Sequence, residues 1–225
     1  MASNKIAIII PAYNEASSIC RVINELNKVL DNVAEIVVVN DCSTDKTSKN
    51  AKSTGVHVVD LAINHGYSRA IEQGFSFACQ NLEAKYLITM DADGQHDPQS
   101  VKQVVKLIQT DCFDIVIGTR DRCARFSERL YATYYKFKFG INDPLCGLKA
   151  YRASIYMKYG RFETFDSIGT ELLAWSLLNT FKIQQTRINI REREDESRFG
   201  SLFSANKRIF LSLIKSYKYI NKGHK

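Results

Sequence analysis

Two aspartates two residues apart, Asp91 and Asp93, stand directly after the short apolar run Tyr86-Leu87-Ile88-Thr89-Met90. A turn at a strand end can aim both carboxylates at one point, and Gly94 lets that turn be tight. Hard oxygen donors at this spacing suit Mg²⁺ or Mn²⁺, which keep open positions for phosphate oxygens. Such a cation offsets charge building on a departing nucleoside diphosphate. Gln95 is a candidate third oxygen ligand. His96 reads as a surface histidine near a helix start rather than as a ligand. The triplet alone is weak evidence, because acidic turns are common; its position after a strand gives it weight.

The elements that must carry this turn are legible as alternation. Lys5–Ile10, Glu35–Asn40, Val56–Asp60, Tyr86–Met90 and Asp114–Gly118 read as buried strands, rich in Val and Ile. Between them Ala16–Leu30, Asp45–Thr54, Tyr67–Asn81 and Pro98–Thr110 read as helices, with Ser17, Thr44 and Asp97 near their starts. Strand–helix alternation predicts an α/β fold, a mostly parallel twisted sheet flanked by helices. Ligands bind such sheets at the carboxyl ends of the strands. The chemically interesting loops stand there: Pro11–Glu15, Asp41–Asp45, Asn64–Gly66, Asp91–Gln95 and Thr119-Arg120.

The second half is less regular. Arg125–Gly140 reads as an aromatic, basic helix, Cys146–Tyr151 as a short strand, Gly169–Thr180 as a helix, Lys182–Ile190 as a strand and Phe203–Asn221 as a terminal helix. Without repeats or a linker, the simplest organisation is one domain over 1–225, with a core of about 5–200 and a basic amphipathic helix over 201–225. No apolar run reaches the length of a membrane span. The N-terminus carries no signal-peptide pattern. The six cysteines form no Cys-x-x-Cys pair and read as free buried thiols of a reducing cytoplasm. A net charge of +7 suits nucleic acid, an anionic membrane or a phosphorylated substrate. A nucleic-acid-binding module accounts for the charge but not for the ordered acidic loops. A dinucleotide-binding oxidoreductase needs Gly-x-Gly-x-x-Gly after the first strand, where Pro11–Glu15 stands instead. A sugar nucleotidyltransferase needs a glycine-rich, basic loop there.

Pro11-Ala12-Tyr13-Asn14-Glu15, Val39–Asp45 and Asp91–Pro98, in that order, resemble family-2 glycosyltransferases with the A-type fold. The closest resemblance is to dolichyl- or polyprenyl-phosphate mannosyl- and glucosyltransferases, over roughly residues 5–200. The resemblance implies that Pro11, Tyr13, Glu15 and Asp41 line the donor's nucleoside pocket, and that Asp91, Asp93 and Gln95 hold metal and diphosphate. Asp45 has the alternative of capping the following helix. Gly66, Ala70 and Gly74, four apart, read as small residues letting their helix approach the sheet.

On the acceptor side, Gly118-Thr119-Arg120 resembles the family's Gly-Ser-Arg element. Arg129 and Thr133, one helical turn apart, are similar to an Arg and a Ser that grip the acceptor phosphate. Ser197 and Arg198 match a loop that closes over the diphosphate, so Arg120, Arg129 and Arg198 are candidates for a phosphate clamp. Asp143–Lys149 resembles the family's Asp-Pro-Thr-Ser-Gly-Phe-Arg turn, with Leu145 and Cys146 replacing Thr and Ser. Glu171 matches a glutamate near the sugar. The implied activity is inverting transfer from a UDP- or GDP-sugar to polyprenyl or dolichyl phosphate. A saccharide hydroxyl as acceptor, in cell-surface glycan synthesis, instead requires a general base, for which Asp143, Asp166 and Glu171 are the acidic candidates. A non-catalytic nucleotide-binding paralogue is the rival of another class. The expected location is cytoplasmic, with peripheral membrane contact or a membrane-protein partner supplying access to lipid.

Overall fold

Every residue of β1 (Ile6–Ala12) is buried. Its side chains alternate between two cores: Ile6, Ile8 and Ile10 enter one, and Ala7 and Ile9 the other. This is why the strand reads as an unbroken apolar run, since a strand covered on both faces has no polar side. β2 (Glu35–Asn40), β3 (His57–Asp60), β4 (Tyr86–Thr89), β5 (Ile115–Thr119), β6 (Lys149–Arg152) and β7 (Ile183–Arg187) complete one sheet in the order β3-β2-β1-β4-β6-β5-β7. The computed structural model describes residues 5–121, 125–165, 167–192 and 202–222.

Helices cover both faces. α1 (Ile19–Leu30), α2 (Thr47–Ser53) and α4 (Pro98–Gln109) bury Val22, Leu26, Ala51, Val101 and Val104 on one side. On the other lie α3 (Tyr67–Asn81), α5 (Phe126–Phe139), α6 (Ala153–Tyr159), α7 (Thr170–Leu178) and α8 (Leu202–Asn221). They contribute Phe75, Tyr131, Tyr135, Ile155, Leu172 and Ile220. The helix starts differ from expectation. Ser18 and Lys46 precede α1 and α2, and although Asp97 does precede α4, its side chain makes no cap hydrogen bond. It meets Arg191 at 3.3 Å instead.

Five strands run parallel as expected, with β7 parallel to β5 beside them at the edge. β6 is the exception. It inserts between β4 and β5 antiparallel to both, pairing Thr89 with Lys149 and Val116 with Ala150. Alternation along the sequence does not announce this, because β6 is only four residues long and runs straight into α6. That helix was not expected, since its seven residues bury only Ala153 and Ile155 and so carry no amphipathic stripe.

The small residues of α3 divide into two roles. A Cβ on Gly74 would stand 2.4 Å from Ile9 Cγ2 and 2.9 Å from Val39 Cγ2, so this position does let the helix close on the sheet. Gly66 does not belong to that stripe. It precedes the helix with φ +83°, and a Cβ there meets nothing within 4 Å, so it serves the turn rather than the packing. Of the cysteines described, Cys146 is buried, Cys112 is exposed and the rest are half-buried, all of them as thiols. Gly74→Ala should therefore lower stability by about 1–3 kcal/mol through overpacking of the β1–β2 face. A thermal melt reads this directly, and an unchanged midpoint would contradict the close approach.

Candidate active site

The ends of β1, β2 and β4 open into one cleft of about 1260 Å³. Its floor is built by two loops tied to each other. The Asn14 amide donates to Ser43 Oγ at 2.9 Å, and the Thr44 amide donates to Asn14 Oδ1 at 2.8 Å. The Glu15 amide donates to Thr47 Oγ1 at 2.7 Å, and that of Ala16 to Asp45 Oδ2 at 3.1 Å. Asn14 and Cys42 both adopt positive φ at the corners of these loops. Asp45 also accepts from the Thr47 amide at the start of α2, so it holds both the helix and the neighbouring loop. The polar residues of the second loop thus serve mainly to fix the first.

Asp41 works in the same way. It is buried, and its two carboxylate oxygens accept the backbone N–H groups of His65 and Gly66, each at 2.7 Å. This pins the loop that starts α3 and delivers Tyr67 to the cleft. The Tyr67 hydroxyl donates to Asp91 Oδ1 at 2.9 Å. Burial first, and then the Asp91 carboxylate, raise the phenol well above its ordinary pKa, so it stays a proton donor to Asp91. On the other side of Asp91, Gly147 comes so close that a Cβ there would lie 2.5 Å from Oδ2. Asp93 Oδ1 accepts the Gln95 amide at 3.1 Å, which shapes the turn.

His96 is not on the surface as expected. It is buried at 4% exposure, and its Nδ1 accepts the Asp91 amide at 3.4 Å while Nε2 lies 3.9 Å from Asp91 Oδ2. The bridge it forms with Ile190 draws it under the turn, a long-range pairing that local sequence does not encode.

Pro11, Tyr13, Glu15, Asp41, Asp91, Asp93, Gln95 and Arg120 all line this cleft. Arg120, Arg125 and Arg208 line the same cleft, and Glu128 pairs with the first two. Arg120 Nε and Nη2 form a two-pronged pair with Asp143 at 2.8 and 3.0 Å, and Nη2 meets Glu128 at 3.3 Å. Burial opposes the charge on Arg120, but Asp143 outweighs it and raises the guanidinium's pKa. Arg125 Nη1 donates to Glu128 Oε1 at 2.9 Å.

Several candidates stand elsewhere. Asp143 is buried against Arg120 and is not part of the cleft wall; its carboxylate positions the arginine rather than facing a substrate. Glu171 is also away from the wall, buried at 1% exposure. It accepts from Tyr159 Oη at 2.6 Å and Thr164 Oγ1 at 2.5 Å, and it meets Arg161 at 3.3 Å. Arg129 and Thr133 share a face, but it is the solvent face of α5, and Thr133 Oγ1 donates to the Arg129 carbonyl. The burial of Tyr131 and Tyr135 fixes the helix's rotation and turns that pair outward. Ser197, Arg198 and Asp166 lie outside the described residues. Arg125 and Arg208 were missed. The available signals were the three-residue spacing of Arg125 and Glu128, which pair, and the shared helical face of Ala205, Arg208 and Ile209; all five line the cleft.

Lys149 is fully buried, and its Nζ donates to the Ile168 carbonyl at 2.5 Å, behind the wall that Ser167 and Ile168 form. Burial pushes its pKa down to about 8.

Among the described residues, no group of three or more His, Cys, Asp and Glu could hold a metal ion by itself. The donor set at Asp91 and Asp93 therefore fits a cation whose remaining ligands come from a diphosphate and water, as a hard ion such as Mg²⁺ or Mn²⁺ accepts.

Residues 7–169 match the family model described as Glycosyl transferase family 2, and the chain belongs to that family. An uncharacterised protein of Methanocaldococcus jannaschii is 34% identical over 161 residues, covering 66% of this chain; the chain spans 65% of that relative's length. A dolichyl-phosphate hexose transferase of Haloferax volcanii is 26% identical over 93% of this chain and 92% of its own length. The fold is shared with Mycobacterium tuberculosis glucosyl-3-phosphoglycerate synthase in complex with Mn²⁺ and UDP-glucose. That structure superposes with a TM-score of 0.77 at 21% identity, covering 96% of this chain and 79% of that one.

Gly147→Ala should displace the end of a flexible carboxylate rather than backbone. Catalytic rate should fall about tenfold or more while the melting midpoint moves little; full activity would contradict the contact with Asp91. Lys149 makes a pH-dependent contribution to stability. Between the folded pKa of about 8 and the ordinary 10.5, the unfolded chain binds more protons, so this contribution rises with pH across that window. Urea midpoints of wild type and Lys149→Met should diverge in slope there, and parallel profiles would contradict the assignment.

Proposed function

We propose that the chain transfers a sugar, with inversion, from a nucleoside-diphosphate sugar to a polyprenyl or dolichyl phosphate. The observation that carries this reading is that Asp91 and Asp93 share one cleft at the strand ends with Arg120, Arg125 and Arg208. The names of relatives support the acceptor class: the Haloferax volcanii protein is a dolichyl-phosphate hexose transferase, and a Micrococcus luteus relative is an undecaprenyl-phosphate mannosyltransferase.

The donor's nucleoside lies along Pro11, Tyr13 and Glu15, with Asp41 holding the loop that closes the pocket. Asp91 and Asp93 would hold Mg²⁺ or Mn²⁺, with Gln95 beside them. When bound, the ion supplies positive charge against the diphosphate as it leaves. Tyr67 and Gly147 fix the Asp91 carboxylate before substrate arrives, so little reorganisation is needed during reaction. The bond from the anomeric carbon to the diphosphate breaks with its electron pair on the diphosphate, and an acceptor phosphate oxygen bonds the same carbon from the opposite face. That oxygen is already anionic near neutral pH, so no general base is required. This agrees with the engagement of Asp143 and Glu171 in other contacts. Arg120, held by Asp143 and Glu128, orients the acceptor phosphate together with Arg125 and Arg208. Ser197 and Arg198 remain candidates for closing over the diphosphate.

The test offers labelled UDP- and GDP-sugars to polyprenyl phosphate with Mn²⁺ or Mg²⁺. Asp91→Asn and Asp93→Asn should each lower transfer by about a hundredfold or more, the scale of one lost preorganised electrostatic contact. Equal inertness of wild type and variants with every donor would leave a nucleotide-binding protein without this activity.

A further inference from the structure

α5 and α8 pack side by side. Ser127 Oγ donates to Asn206 Oδ1 at 2.7 Å, and the Tyr135 and Ser216 hydroxyls meet at 2.7 Å. The side of α8 that enters the fold is small and narrow, with Ala205, Ser212, Ser216 and Ile220 buried. Its outer side is not a solvated polar face. Phe210 is 48% exposed, Leu211 49% and Tyr217 55%, and Ile214 lies among them. On the neighbouring helix, Phe126 and Phe137 are 70% and 92% exposed. Among the described residues of these two helices the exposed charge is of one sign. α8 contains no acid, and the only acid of α5, Glu128, is buried. Lys207, Arg208, Lys215 and Lys218 are all exposed.

A shallow groove of about 460 Å³ runs along this surface, lined by Phe165, Leu211 and Ile214 with Lys207, Lys215 and Lys218. Arg208 lines both that groove and the cleft. We propose that the outer face of α8, with the exposed aromatic side chains of α5, docks on an anionic lipid bilayer, and that Arg208 marks where this surface meets the cleft.

Exposed aromatic and aliphatic side chains with cations beside them are what a helix needs to lie in a headgroup layer: apolar area enters the acyl boundary and lysines meet anionic headgroups. A second copy of this chain is a poor occupant, because face-to-face pairing would set cations against cations. Among the described residues no helix is long and apolar enough to cross a membrane, so contact through this face is interfacial. The purpose of the surface rests on the lipid-phosphate acceptor proposed above, since it would bring the cleft to a phosphate held in the bilayer. Its existence can be tested without that acceptor.

The full chain is sedimented with vesicles of phosphatidylcholine, with and without phosphatidylglycerol. Wild type should bind the anionic vesicles and lose them at high salt, where surface charge is screened. Lys215→Glu/Lys218→Glu should weaken partitioning by more than about tenfold. Phe210→Ser/Leu211→Ser should weaken it with melting midpoints unchanged. Both variants should keep transfer to a short, water-soluble isoprenyl phosphate while losing transfer to vesicle-embedded acceptor. Equal binding to neutral and anionic vesicles, or variants that bind like wild type, would overturn the docking face. A wild-type dimer that the lysine reversals dissociate would reassign the surface to a second copy. Vesicle binding without any transfer to an isoprenyl phosphate would count against the proposed reaction and not against the docking face.

Discussion

Where β6 enters the sheet against the direction of its neighbours, the turn before it brings Gly147 onto Asp91, and Asp143, a few residues earlier, meets Arg120. Both halves of the cleft depend on this insertion. On one side the missing Cβ of Gly147 leaves the space that the Asp91 carboxylate occupies, and Tyr67 holds its other oxygen. On the other side the insertion supplies the buried carboxylate that keeps Arg120 charged and oriented. A parallel strand at the same place would lead into the cleft from the opposite end and could not deliver both contacts from one short turn.

Both signs of charge are brought to the cleft by the same architecture. The aspartates stand at the end of β4, where the chain turns toward α4, and the arginines come from the end of β5, from the residue before α5 and from α8. Buried carboxylates restrain the arginines: Asp143 and Glu128 around Arg120, and Glu128 again on Arg125. Such pairs cost desolvation, and leaving either partner alone in the interior costs more. Their use here is geometric. They hold guanidinium groups still, as the proposed binding of a phosphate would require.

The parallel core and the donor loops were readable in the sequence because their signals are local. β1, β2 and β4 are continuous apolar runs, and Asp41, Asp91 and Asp93 stand where such strands must end. What those polar residues do was less readable. Asp41 looks like a ligand, yet its oxygens hold backbone N–H groups of the neighbouring loop, and Asp45, for which capping was one reading, accepts from the Thr47 amide at the start of α2. The basic residues of α5 were less readable for a different reason. α5 carries aromatic and basic residues around much of its circumference, so no periodic stripe tells which face turns inward, and the structure places Arg129 and Thr133 on the exposed face away from the cleft. Arg208 is brought to the cleft by the packing of α8 on α5, a contact between segments about eighty residues apart in sequence. Glu171 has the burial expected of a site residue, but its partners are Tyr159, Thr164 and Arg161, and its work is to tie down the start of α7.

The central proposal is that Asp91 and Asp93 hold a divalent cation whose remaining ligands come from a nucleoside diphosphate. Electron paramagnetic resonance of Mn²⁺ titrated with the protein tests this most directly. The account predicts little bound Mn²⁺ without nucleotide and a marked rise in bound signal when UDP or GDP is added. Tight Mn²⁺ binding in the absence of nucleotide, or nucleotide binding untouched by chelation of the metal, would contradict it.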